Sequence, residues 1–112
     1  MLIDIHTHLM PERLFQAVRA YFHAHLWRPH YEGPIEELVE TLLANDVSRF
    51  VFMPYAHRAG MSRSLNHWVA NVQATFAPHA IGFGTFHPDD AGLLPELVDE
   101  AFVRLGLRGA KL

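Results

Sequence analysis

Cysteine is absent from the 112 residues. That excludes a disulfide frame and any thiolate metal site, so a metal here has only histidine, carboxylate, carboxylated lysine or water to draw on. Lysine is nearly absent too: Lys111 is the single lysine among nine basic residues. No basic cluster stands out and the net charge is −3, which leaves no electrostatic footprint for nucleic acid. No apolar run approaches the roughly 20 residues of a membrane helix. The N-terminus carries acid and histidine where a signal peptide carries a basic and then an apolar region. A cytoplasmic protein with neither nucleic acid nor membrane as partner is the expectation. Charged residues are few, 19 % against 50 % hydrophobic, which excludes disorder on composition. The length suffices for one small domain with a core.

What the chain has instead is histidine, nine in all. Two of them close the first stretch, Leu-Ile-Asp-Ile-His-Thr-His at residues 2–8. This reads as a buried strand. Strand side chains alternate faces, so Asp4, His6 and His8 are expected on one side and Ile3, Ile5 and Thr7 on the other. The bases of His6 and His8 then lie roughly 7 Å apart, and both rings project the same way. Side chains of that length can converge on one ion; the other reading is a histidine-rich strand end with ordinary hydrogen bonds. Neutral imidazole suits zinc and its neighbours. Asp4 is expected either to fix a ring tautomer as an acceptor or to ligate directly.

After the strand, Pro11 suits the first turn of a helix, and Leu14, Phe15, Val18, Tyr21, Phe22 and Leu26 follow helical spacing. The aromatic, histidine-rich segment 21–33 is either a substrate-facing insertion or a helix end packed on the next helix. Its His23, His25 and His30 read as surface or packing residues. Gly33-Pro34 opens a second helix with the stripe Ile35, Leu38, Val39, Leu42 and Leu43, which Asn45-Asp46 ends. Phe50–Met53 is a short apolar run, as expected of a strand covered on both faces. Residues 54–62 form a loop. A third helix is expected from about Ser64 to Phe76, a third strand over Ala80–Phe86 with Gly82 and Gly84 as thin positions, and a loop over His87–Asp90. A fourth helix follows from about Ala91 to Leu105, capped by Gly106, and Leu107–Leu112 starts a fourth strand. Strands alternating with helices argue for an α/β fold with a parallel sheet, doubly wound or barrel.

Three stretches together carry a family resemblance. Ile-Asp-Ile-His-Thr-His-Leu-Met-Pro at 3–11, Ile-Gly-Phe-Gly-Thr-Phe-His-Pro-Asp-Asp at 81–90 and Leu-Gly-Leu-Arg-Gly-Ala-Lys-Leu at 105–112 make the chain similar to the N-terminal portion of amidohydrolase-related proteins. The nearest type is the amidohydrolase 2 branch, which also holds aminocarboxymuconate-semialdehyde decarboxylase-like enzymes. Other metal-dependent families open with a similar His-x-His, and the later two stretches favour this branch. The resemblance implies a partial (β/α)8 TIM barrel, about the first four βα units. A whole barrel typically needs about 250 residues. Residues 1–112 are thus expected to be a single, truncated domain, the N-terminal half of a barrel. Such a half is expected to self-associate or to pair with a C-terminal half. The resemblance also implies that His6 and His8 bind a divalent metal, zinc first among the candidates. The family's further ligands, from the fifth, sixth and eighth strands, have no counterpart in these residues.

The implied activity is hydrolysis of a small-molecule substrate, an amide, ester or lactone, by metal-activated water. Non-oxidative decarboxylation by the same kind of site (a lyase) and a non-catalytic barrel remnant are the alternatives. With so few ligands, the 112-residue chain alone is expected to be inactive. Barrel sites gather at the C-terminal ends of strands, which selects further candidates. His57 and Arg58 after the second strand either contact an anionic substrate or form a solvated loop pair. His87 after the third strand either faces the site or does not. Lys111 in the fourth is either carboxylated and bridging, as in binuclear relatives, or simply buried or salt-bridged.

Overall fold

The computed structural model describes residues 1–112, with four parallel strands in the order β1-β2-β3-β4. They are β1 (Leu2–Thr7), β2 (Val47–Phe52), β3 (Ala80–Thr85) and β4 (Gly109–Lys111). The sheet curls as half of a barrel would. Helices α1 (Glu12–His25) and α2 (Ile35–Ala44) connect the first two strands, and α3 (Ser62–Thr75) the next two. The expected α/β alternation, with an extra helix in the first connection, is therefore present. No helix is long and apolar enough to cross a membrane.

The core lies between the sheet and the helices. Phe50 and Phe52, both 0 % exposed, meet Val69 and Val72 of α3, Val39 of α2, and Leu97, Ala101 and Leu107. Burying a side chain of the size of Phe removes about 1.5–3 kcal/mol of apolar exposure. The glycines of β3 let α3 come close. A Cβ on Gly82 would stand 2.5 Å from Val69 Cγ1, and one on Gly84 3.3 Å from Asn66 Oδ1.

Two side-chain amides of α3 also bond directly to β3. Gln73 Oε1 accepts from the Gly82 N–H at 2.8 Å. Asn66 takes both groups of Thr85, accepting from its N–H at 2.8 Å and donating to its carbonyl at 3.2 Å. Two helical turns span about 10.5 Å and three strand residues about 10 Å, so the antiparallel spacings match.

Three expectations need correction. β2 begins at Val47, not Phe50, because polar Ser48 and Arg49 interrupt the apolar run without breaking the strand. The fourth helix, expected from about Ala91 to Leu105, is not one α-helix. A 3₁₀ segment (Pro88–Leu93) leads into α4 (Leu94–Asp99), which widens into a π-helical turn (Glu100–Arg104). Pro95 in the first turn of α4 has no N–H to bond, and Gly106, at φ +67°, ends the π turn as a left-handed cap.

The third correction concerns β1. Asp4 lies beside Phe50 and Thr7 beside Phe52, so three residues of β1 run against two of β2. That is a bulge, and strict alternation does not run through it. Asp4 and Thr7 are half-buried while Ile5 and His6 between them are exposed. Asp4 therefore does not share a face with His6 and His8. Its Oδ1 accepts from the His6 backbone N–H at 2.9 Å, a local bond that holds the bulge.

Candidate metal centre

Beyond the bulge, β1 regains its ladder with β2. The Met53 N–H donates to the Thr7 carbonyl at 3.1 Å, and Thr7 Oγ1 donates to the Val51 carbonyl at 2.8 Å. Leu9 and Met10, both buried, anchor the chain just after. His6 and His8 are thus held on either side of a fixed residue, and their rings meet. The Nε2 atoms are 3.1 Å apart and the ring centroids 5.0 Å, at an interplanar angle of 70°.

One contact sets the chemistry of His8. Its Nδ1 lies 3.0 Å from the Met53 carbonyl oxygen. A carbonyl only accepts, so Nδ1 carries the proton, and neutral His8 turns a bare Nε2 toward His6. A backbone carbonyl behind a ligating histidine is the usual way a protein fixes tautomer and ring direction. Zinc–nitrogen bonds of about 2.0–2.1 Å at a tetrahedral angle put two nitrogens about 3.3 Å apart. The observed separation is that of a hydrogen bond from His6 Nε2–H to the bare His8 Nε2, and it lies within a few tenths of an ångström of one edge of such a shell. Both rings are exposed, so the edge is open to solvent.

The other candidates do not join this pair, and no group of three or more His, Asp or Glu side chains is placed to share an ion. Asp4 is turned to the His6 backbone. His87 caps the 3₁₀ segment, its Nδ1 accepting from the Asp89 N–H at 3.2 Å and its own N–H donating to Ser62 Oγ at 3.1 Å. His57 and Arg58 are exposed on the loop after β2, and His57 borders a hollow against Leu14, Tyr21 and Phe22 of α1. Lys111 is half-buried in β4 and makes no ion pair. Three strand spacings separate it from β1, about 14 Å.

The segment after α1 closes on itself. His23 and Arg28 both reach Glu32, at 2.9 Å each, and Trp27 packs edge-on against Phe22. The Arg28 guanidinium, and after it His23, hold the Glu32 carboxyl below the usual carboxylate range. Trp27 and Pro29 thereby wall a cavity that reaches His8.

Sequence reasoning passed over two groups. Asp90 is buried, accepting from the Gly60 N–H at 2.9 Å and from Ser62 Oγ at 3.1 Å, and so ties the loop after β2 to the loop after β3. Arg19 is buried in the apolar stripe of α1, one turn beyond Phe15. The available signal was a charged residue on a face otherwise made of Phe15, Val18 and Phe22. Compared with known proteins, the chain matches no family model, no curated protein and no solved structure.

Proposed function

We propose that the chain carries the histidine pair of a metal-dependent hydrolase of the amidohydrolase-related type, acting on an amide, ester or lactone. What supports this reading most is the convergence of His6 Nε2 and His8 Nε2, with the Met53 carbonyl behind His8. A divalent ion held there would polarise a carbonyl and lower the pKa of its water toward about 7. The protein's part is to aim two neutral imidazoles. The bulge at Asp4 and the buried Leu9 and Met10 fix the backbone that carries them, and Met53 fixes the His8 tautomer.

Two nitrogens are half of a tetrahedral shell, and catalytic zinc sites usually have three protein ligands. The 112 residues alone therefore take up zinc weakly and show no turnover on aryl esters, lactones or amides. Zinc titration with elemental analysis tests the assignment. His6→Ala and His8→Ala should each remove most uptake, while His23→Ala and His30→Ala should leave it unchanged. Equal loss in all four variants would overturn the site. Robust turnover by the chain alone, abolished by His6→Ala, would mean that it supplies its own further ligands.

A further inference from the structure

The cavity beside His8 measures about 230 Å³ and contains a cation without a counter-ion. Its walls are aromatic and apolar, chiefly Phe15, Phe22, Trp27 and Met10; its polar members include His8 and Arg19. Arg19 is 9 % exposed. Its guanidinium makes one hydrogen bond, from Nη2 to the Gly33 carbonyl at 2.7 Å, and its Nε is buried with no partner. Cζ lies 4.0 Å above the Phe15 ring. No carboxylate pairs with it, although Glu37 lies against Gly33 nearby.

A buried charge is costly unless it is paired. A guanidinium has five N–H donors in a planar fork, a shape that a carboxylate matches with two parallel bonds. The π-faces around it favour a flat ring. A cavity of about 150 Å³ is known to hold benzene, so this one has room for a ring with a short acidic arm.

We propose that the cavity binds a small aryl carboxylate, with the carboxylate on Arg19 and the ring against Phe15, Phe22 and Trp27. A ligand held this way meets His8 with a different part of the molecule. The acid is then the anchor and not the reacting group, and the substrate class is an ester, amide or lactone that bears an aryl group and a remote carboxylate. As a statement about substrate, this rests on the reading of His6 and His8 above; as a binding site, it rests on Arg19 alone.

The test is a titration of the 112-residue protein with phenylacetate, followed by the fluorescence of Trp27 and by calorimetry. Saturable binding is expected. The uncharged phenylacetamide should bind at least about tenfold more weakly, and Arg19→Met should lose about tenfold to a hundredfold, the range for hydrogen bonds to a charged group. Arg19→Lys should fall between, since it keeps the charge and loses the fork. Arg19→Met should leave zinc uptake unchanged, and His6→Ala should lose zinc while still binding phenylacetate, so the two readings fail separately. No saturable binding, equal binding of the amide, or unaltered affinity in Arg19→Met would overturn the proposal. If Arg19→Met does not fold, the amide and Arg19→Lys decide it.

Discussion

β2 and β1 are neighbours in one sheet, and they obey different rules. β2 is paired on both sides, and its register with β3 runs unbroken through Phe50↔Ala80, Val51↔Ile81 and Phe52↔Gly82. β1 is paired on one side only, and its register with β2 shifts twice. Phe52 is wholly buried, whereas Ile5 is 74 % exposed and Ile3 46 %. A second ladder forces alternation on a strand. With one ladder, a single side-chain bond, Asp4 to the His6 N–H, is enough to add a residue. Bulges commonly lie beside functional groups because they re-aim a side chain. His6 lies within the bulged stretch and His8 just beyond it.

The largest effect should come from the central strand. Phe52→Ala should cost about 3–5 kcal/mol in denaturant unfolding, against less than about 0.5 kcal/mol for Ile5→Ala. Similar losses in the two variants would erase the contrast. Next comes Gly82→Ala, whose new methyl would meet Val69 Cγ1 at 2.5 Å. It should cost about 1–3 kcal/mol, because α3 must move off the sheet.

A smaller change should appear in association. Exposed apolar edges invite pairing with other chains. Light scattering should show self-association of the wild-type chain that the double variant Ile3→Lys, Ile5→Lys reduces, with little change in its melting temperature. A wild type that stays monomeric at high concentration would show that the β1 edge is already protected.

The smallest effect sits far from β1, on the exposed side of α3. Arg63 pairs with Glu96 and Glu100, and His67 with Glu100, across to α4 and the π turn. Hydrogen bonding from His67, and then from Arg63, holds the Glu100 carboxyl below its ordinary value. A lowered folded-state pKa contributes stability above the unfolded value, about 4.3, and loses it as pH falls through the folded one. Glu100→Gln should therefore melt slightly lower than wild type at neutral pH, and the two melts should converge in acid. A constant gap at all pH values would assign the effect to packing.

Where two faces are closed, the sequence was readable. The run Phe50–Met53 marked a covered strand, and Gly106 marked a helix cap. His6 and His8 were readable as neighbours, since a spacing of two residues keeps their rings within reach even where the strand is irregular. Asp4 was misplaced because alternation assumes a regular strand, and its bond to the His6 N–H is equally available to an aspartate in a turn. The segment expected as one helix, 91–105, passes through three kinds of helix, which periodicity near 3.6 does not separate. Arg19 escaped notice because its burial depends on residues 27–33 folding back over α1, a contact between segments that helical spacing does not encode.

The amide pair on α3 gives the protein a built-in clock for helix docking. The Gly82 and Thr85 N–H groups end on Gln73 and Asn66, not on a neighbouring strand. In deuterated water, exchange at those two amides times the lifting of α3 from the sheet. Exchange within the β2–β3 ladder times the parting of the strands. Different rates in the two sets would mean that the helix leaves before the sheet opens, and equal rates that both yield in one cooperative event.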